Sequence, residues 1–484
     1  MEKVYQFFTL ISLLIYWLLI AGITVRIVTK RRSIGVSFAW MMVIYVIPFA
    51  GIVLYFLFGE LNLGKKRASR AKDMFGPYGV WCKQLQDYRQ YHPESLTDFA
   101  QSISQLCQSR LGIPALADNR LELLKTTDEI MQRLIEDINA AQTDIHMEFY
   151  IWNPGGLADC VADALIKARK RGVKVKVLLD SAGSRVFFKS SWPVTFRSAG
   201  IELVDALSVS PVRMFFRRLD LRLHRKIVVI DNIIGYTGSM NMVDPAYFKV
   251  DAGVGQWIDV MVRIHGASVP VLNCIHAWDW EVETSTRSLP AMPQYREQDK
   301  TETDVVQVIP SGPGMPEAII QQVLLQSIYQ AKHKIVITTP YFIPSENLMF
   351  ALISAAQRKV SVHIVIPDKN DSMMVEWASR SFFYELLNAG VNIHRFKGGL
   401  LHTKSVVIDE NHSLIGTVNL DMRSLWLNFE VTLAVEEYEF TQKLNRLQRR
   451  YIDDSTLVDP VKWRKRPLQK KFIEQFFYMF SPLL

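Results

Sequence analysis

Two histidines, two lysines and two asparagines recur in this chain at one fixed spacing. His224-Arg-Lys226-Ile-Val-Val-Ile-Asp231 returns as His402-Thr-Lys404-Ser-Val-Val-Ile-Asp409. Each copy runs on into a small-residue turn, Gly238-Ser239-Met240-Asn241 and then Gly416-Thr417-Val418-Asn419, and every element of the second copy lies 178 positions after its partner. A histidine can attack an electrophile through a ring nitrogen. A second can protonate the leaving oxygen and later deprotonate the incoming one. Lys226, Lys404, Asn241, Asn419 and the hydroxyls of Ser239 and Thr417 can hold the oxygens of an anionic centre and stabilise its transition-state charge. A phosphodiester suits this set. No HExxH, carboxylate cluster at metal spacing or Walker loop accompanies it, so the chemistry calls for no metal and no other cofactor.

A lone HxK is weak evidence in a chain with ten histidines. Two full HxKxxxxD runs with matching GxxN turns arise by chance well below roughly once in a thousand chains of ordinary composition. Each histidine also needs an orienting group. Glu430 follows His402 by 28 residues, and Asp259 follows His224 by 35. Read motif by motif, Glu430 serves His402 and Asp259 serves His224, each fixing a tautomer and stabilising the imidazolium. Asp231 and Asp409 close the motifs at the ends of Val/Ile strands, as braces rather than acid–base groups.

The elements that must position these groups also come twice. Thr126-Thr-Asp-Glu129 reads as a capping box, followed by Ile130, Leu134, Ile135, Ile138 and Ala141 at helical spacing. A strand over Ile145–Trp152, a helix over Ala158–Arg171 and a strand over Val173–Asp180 follow. The second half repeats the order, with a helix near Glu317–Lys332, then strands Ile335–Phe342 and Val360–Pro367. The tags Ser198-Ala-Gly-Ile201 and Asn388-Ala-Gly-Val391 are offset by 190, so twelve extra residues separate tag from motif in the first half. This alternation predicts an α/β fold with a largely parallel sheet, duplicated in two halves that share one bilobed catalytic body. The expected domains are a helical hairpin over 1–60, a helical connector over 61–115, and halves over 116–297 and 298–484.

Val4–Val25 and Val36–Gly59 are uncharged runs of 22 and 24 residues. Each is long enough to span a hydrocarbon core of ~30 Å as a helix. Lys3, Lys65, Lys66, Arg67, Arg70 and Lys72 flank one side of this hairpin, against Arg26, Lys30, Arg31 and Arg32 on the other, which favours a cytoplasmic main body. Four basic stretches carry +20 between them in a chain whose net charge is +8. Two of them, Pro211–Leu223 and Trp463–Leu484, mix arginine or lysine with phenylalanine, as interfacial segments do. The tail either lies on a membrane or packs on the body. Cys82, Cys107, Cys160 and Cys274 lack metal or CxxC spacing and read as buried thiols.

HxKxxxxD followed by GSxN resembles the phospholipase D superfamily, over roughly Leu116 to Asp454. Phe58-Gly-Glu-Leu-Asn-Leu-Gly-Lys-Lys-Arg67, Tyr236–Asp244, Gly253–Asp259 and Gly416–Glu430 are similar to bacterial cardiolipin synthases of the A type. Thr417 departs from the serine of the signature and keeps its hydroxyl. The resemblance implies reversible transfer of a phosphatidyl group between two phosphatidylglycerol molecules, giving cardiolipin and glycerol through a phosphatidyl-histidine. It implies a multi-pass protein of the bacterial cell membrane, the bilayer and these lipids as partners, no nucleic acid, and His224 as nucleophile. A membrane-anchored phospholipase D using water as acceptor, a nuclease, and a non-catalytic lipid scaffold are the alternatives. Against a nuclease, the basic stretches flank apolar spans and form no groove of evenly spaced aromatics.

Overall fold

The computed structural model describes residues 2–30, 34–59, 65–88, 96–208, 220–292 and 304–481. Most of the arginine–phenylalanine stretch, 209–219, lies outside them. The chain divides into two compact units, Met1–Ala68 with Val209–Leu221, and Ser69–Ser208 with Arg222–Leu484.

In the smaller unit, α1 (Glu2–Thr29) is, among the described residues, the one helix long and apolar enough to cross a membrane. The second expected span is not a single helix. α2 (Ile34–Val46) stops at Ile47, α3 (Pro48–Leu54) restarts the helix, and Tyr55–Gly59 winds as a π-helix. Pro48 brings no N–H and forces the residue before it out of the helical region; Ile47 accordingly sits at φ −132° and ψ 72°. Ile20, Ile23 and Ile27 of α1 cluster with Ile44 and Tyr55, and the hydroxyls of Thr24 and Tyr45 lie 3.1 Å apart. Beyond this seam the helices expose apolar side chains such as Phe8, Leu14 and Leu18.

The larger unit is built on one continuous sheet. Its strands are β1 (Leu116–Leu124), β2 (Asp144–Phe149), β3 (Lys174–Asp180), β4 (Glu202–Ala206), β5 (Ile227–Ile230), β6 (Ile234–Gly238) and β8 (Met261–Gly266) from the first half. The second half gives β9 (Asp304–Ser311), β10 (Lys334–Thr338), β11 (Ser361–Pro367), β12 (Asn392–Phe396), β14 (Ser405–Ile408), β15 (His412–Gly416), β16 (Glu430–Glu436) and β17 (Ser455–Leu457). Two short strands stand apart, β7 (Trp257–Ile258) and β13 (Leu400–Leu401). The sheet order is β17-β12-β11-β10-β14-β15-β16-β9-β1-β8-β6-β5-β2-β3-β4. Apart from the edge strand β17, it reads the same outward from the antiparallel β9–β1 joint in both directions, which is the duplication made visible.

A largely parallel sheet is therefore incorrect. Within this sheet, among the described residues, only β2-β3-β4 and β10-β11-β12 pair in parallel. Each motif strand instead turns straight back into a hairpin, β5 with β6 and β14 with β15. The turns contain Asp231, Asn232, Asp409 and Glu410 at φ between 49° and 65°, and such paired left-handed residues suit tight hairpins.

Helices cover both faces. On β5, Ile227 and Val229 join one core while Val228 and Ile230 join the other, the period-two pattern of a strand buried on both sides. Helices Thr127–Ala140 and Leu157–Lys170 cover one face of the first half. Helix Val269–Thr284 covers the other and shares a core with helix Tyr438–Asp453 of the second half. The Thr126 hydroxyl accepts from the Glu129 N–H, as the capping box requires, while the Glu129 carboxylate reaches back to the N–H of Lys125 rather than that of Thr126. Cys107 and Cys274 are buried and Cys82 half-buried, but Cys160 is exposed, on the outer side of its helix.

Gly238 and Gly416 end β6 and β15 where neighbouring backbone comes closest. A Cβ would stand 2.4 Å from the Val260 carbonyl oxygen at Gly238, and 2.3 Å from that of Val431 at Gly416. Alanine at either position should cost about 1–3 kcal/mol by parting the strands. Thermal unfolding of the detergent-solubilised protein, with a lowered midpoint for G238A and G416A, checks this.

Candidate active site

The two motifs meet in the larger unit, but each histidine is held by the carboxylate of the other half. His224 Nδ1 lies 2.9 Å from Glu430, and His402 Nδ1 lies 2.7 Å from Asp259 Oδ1. This corrects the pairing read motif by motif. The reason is in the backbone. The N–H of His224 donates to the carbonyl of Phe429 (3.0 Å), the residue before Glu430, and the N–H of His402 donates to that of Ile258 (2.8 Å), the residue before Asp259. Strands β13 and β7 pair in parallel, and the Leu223–Phe429 bridge is their counterpart.

A carboxylate accepts, so each Nδ1 carries the proton and each Nε2 keeps its lone pair. Both rings are buried, His224 with 7% and His402 with 2% of its surface exposed. Burial lowers both histidines to about 4, against the opposing pull of their carboxylates, and each feels both lysines as further lowering charges. Burial alone would raise Glu430 and Asp259. The histidine each faces, a nearby lysine and a hydroxyl bring both below the usual carboxylate range. Lys226 and Lys404 are buried as well and are lowered to about 8 and about 7. Each folds its Nζ onto the carbonyl of its own histidine, at 2.7 and 2.6 Å.

The hydroxyls act differently from the expectation. Ser239 Oγ donates to Asp259 (2.6 Å) and accepts from the N–H of Val260; Thr417 Oγ1 donates to Glu430 (2.5 Å) and accepts from the N–H of Val431. They fix the carboxylates rather than offering themselves to an anion. Asn241 accepts from the Ile151 N–H, and the Asn419 side chain bonds Asp421. Asp231 accepts from the N–H groups of Gln142, Thr143 and Asp144, and Asp409 from those of Lys332, His333 and Lys334. Both aspartates therefore tie a motif strand to the loop entering its neighbour, away from the histidines.

Several site residues escaped the sequence reading. The Tyr150 ring centre is 5.0 Å from that of His224, and Trp257 is 4.3 Å from His402. Arg225, fully buried, pairs with Asp279 and donates to the Glu430 carbonyl. Glu148, also fully buried, has its carboxyl raised well above the usual range by burial and by Asp279. Lone acids inside apolar runs, Glu148 in its strand and Asp279 between Trp278 and Trp280, were the available signal.

Two related α/β halves, each lending a histidine and a lysine to one site and a carboxylate to the other half's histidine, define a protein of the phospholipase D-like class. A family model described as "Cardiolipin synthase, PLD-like domain" matches residues 134–254 and 324–451, and one described as "Phospholipase_D-nuclease N-terminal" matches 14–60. The chain is 52% identical to cardiolipin synthase A of Yersinia pseudotuberculosis serotype O:1b (strain IP 31758), over 99% of both chains, and equally to that of Edwardsiella ictaluri (strain 93-146). It shares its fold with the crystal structure of phosphatidylserine synthase from Haemophilus influenzae Rd KW20, at a TM-score of 0.59 and 16% identity, covering 79% of this chain and 100% of that one. The chain belongs to the cardiolipin synthase family.

The pH dependence of the free enzyme follows from these groups. The lysines lose their charge as pH rises through about 7 to 8, so kcat/KM for a phosphodiester should fall above that window. Lys404→Arg keeps its charge and should move the alkaline limb upward in whatever activity remains. For stability the sign is opposite at low pH. Buried histidines at about 4 bind protons later than unfolded ones near 6.5, so stability is lost as pH falls through that interval. Unfolding midpoints from pH 7 to 4.5 should decline, and less steeply in H224Q/H402Q.

Proposed function

We propose that the protein makes cardiolipin by moving a phosphatidyl group from one phosphatidylglycerol to another. The observation that carries this reading is the crossed pair of buried histidine–carboxylate contacts, which prepares two equivalent nitrogen bases around one anion site. Family membership and the whole-length similarity to cardiolipin synthase A support the choice of substrates.

His224, the more exposed ring, is the nucleophile. Its Nε2 attacks phosphorus while the bond to the head-group glycerol breaks. His402 gives its proton to that glycerol oxygen, leaving a phosphatidyl-histidine and free glycerol. The terminal hydroxyl of the second phosphatidylglycerol then returns a proton to His402 and attacks phosphorus, and the P–N bond breaks to give cardiolipin. Although burial keeps both free histidines neutral, a phosphodiester anion beside them raises the proton affinity of His402 for its acid role. Lys226 and Lys404 neutralise the equatorial oxygens of the transition state. One phosphodiester replaces another, so no energy source is required.

We place α1 and the broken second segment in the cell membrane as a multi-pass anchor with the catalytic unit on the cytoplasmic side. The charges flanking the segments, six against four, support that orientation. Tethering raises the effective concentration of lipid substrates.

Purified protein given phosphatidylglycerol alone should yield cardiolipin and glycerol. Phosphatidic acid alone would make water the acceptor and the protein a phospholipase D. A donor with a p-nitrophenol leaving group, which needs no acid, separates the two histidines. A burst of p-nitrophenol should survive in H402A and disappear in H224A. Glu430→Gln should slow the burst on the order of a hundredfold, while Asp259→Asn leaves it near wild type, because only Glu430 holds the nucleophile. Equal slowing would refute the crossed assignment of roles.

A further inference from the structure

The C-terminal helix Leu468–Tyr478 both packs on the catalytic unit and presents a second, unused face. Its inner side is anchored firmly. Buried Glu474 pairs with Arg466, whose guanidinium lies 3.4 Å from the centre of the Trp463 ring. Phe477 packs on the cluster of Ile343, Val375 and Ala378, against which Tyr341 also packs, and the Tyr478 ring is 5.4 Å from Phe382. Its outer side carries Leu468, Phe472, Phe476 and Met479, at 81%, 73%, 48% and 75% exposure. Their spacing of four, four and three residues makes one stripe. Lys470 and Lys471 share the helix, and Lys462, Arg464 and Lys465 precede it.

This face connects to the site through side chains. Tyr341, in the packing layer under the helix, donates its hydroxyl to Asp371 (2.8 Å). Asp371 also accepts from Lys249 of the first half (2.8 Å), and Lys249 lies 5.2 Å from the centre of the Trp257 ring, the ring beside His402. On either side of the Lys249–Asp371 bridge, Tyr247, Val250 and Met373 are exposed. Exposed large apolar side chains beside lysines are thus found both on the C-terminal helix and around the Lys249–Asp371 bridge at the edge of the active site.

Soluble surfaces seldom expose such a stripe without a partner. Bulky apolar residues beside lysines are the composition of a helix that sits at an anionic membrane surface. The site itself also demands a bilayer at its mouth. Its histidines are almost wholly buried, so a phosphodiester head can enter while the acyl chains stay outside. We propose that Leu468, Phe472, Phe476 and Met479, continued by Met373, Tyr247 and Val250, form a rim that docks the catalytic unit on an anionic phospholipid bilayer and sets the site at head-group depth. This rests on the reading of the site as one that takes lipid phosphodiesters.

The full-length protein with Leu468→Asp, Phe472→Asp and Met479→Asp is compared with the unchanged chain on two substrates. One is phosphatidylglycerol in reconstituted vesicles; the other is short-chain phosphatidylglycerol below its micelle concentration. Turnover in vesicles should fall by about tenfold or more while monomeric turnover holds within about twofold. Equal loss on both, no loss on either, or a change of oligomeric state with vesicle turnover intact would each overturn the proposal. A second reading is independent of turnover. A fluorophore at Phe472→Cys, in a Cys160→Ser background, should be quenched by phosphatidylglycerol carrying a nitroxide on its acyl chain. An unquenched label overturns the rim even if the protein makes no cardiolipin, and a quenched label in an inactive protein overturns the catalytic reading alone.

Discussion

The exchange of backbone hydrogen bonds between the two halves, just upstream of each histidine, is the constraint on which the active site depends. The His224 N–H to Phe429 and the His402 N–H to Ile258 bonds each set a histidine beside a residue whose successor is a carboxylate. The side-chain contacts then follow from geometry rather than from chance approach. Neither half holds its own histidine, so neither is a catalytic module alone. Both carboxylates are so deeply buried that burial alone would favour their protonated forms, and they stay ionised because a partner from across the interface compensates. Separating the halves would strand each histidine and each carboxylate at once, a far larger cost than a surface ion pair carries.

That arrangement determines the electrostatics of the site. Two lysines and two histidines stand in one desolvated region; burial lowers all four, both lysines lower each histidine further, and Lys226 lowers Lys404. The rings stay neutral and nucleophilic, and the lysines are close to losing their protons. On the proposed mechanism a phosphodiester anion would relieve the repulsion and restore charge to the lysines, so that binding and activation are one electrostatic event. The dipoles are already oriented when the substrate arrives, which is the condition for strong transition-state stabilisation.

Much of this was legible in the chain, for definite reasons. A motif repeated at constant offset names the histidines and lysines, and the strand–helix alternation names the halves. The crossed pairing was not legible, because spacing along the chain ranks Glu430 and Asp259 by their own motifs and says nothing of the neighbouring backbone. Ser239 and Thr417 read as anion binders because a hydroxyl's partner is set by three-dimensional neighbours. Strand–helix alternation implies parallel pairing, which holds for β2-β3-β4 and β10-β11-β12, but the tight turns at Asp231-Asn232 and Asp409-Glu410 impose hairpins that the alternation does not reveal. The break in the second apolar segment was visible in Pro48, whose missing N–H ends the helix wherever no neighbour compensates.

Two histidines in matched surroundings still have to play unequal parts, and the asymmetry comes from behind the motifs. Under the first motif lie the buried Arg225–Asp279 ion pair and Glu148, whose carboxyl is held well above the usual range by burial and by Asp279. Under the second, Ser405 meets Thr338 at 2.7 Å and Gln448 at 2.9 Å, all neutral. Thr403 stands where the first motif has Arg225. Glu148 is among the groups that raise Lys226, whereas Lys404 is lowered further by Lys226 itself. Arg225 also clasps the backbone of Glu430, the residue that holds His224. A duplicated fold thus supplies two bases held alike, with an ion pair beneath the first and neutral groups beneath the second. That difference suits the histidine proposed as nucleophile, whose phosphoryl adduct would be held through two successive transition states while the other histidine ferries a proton.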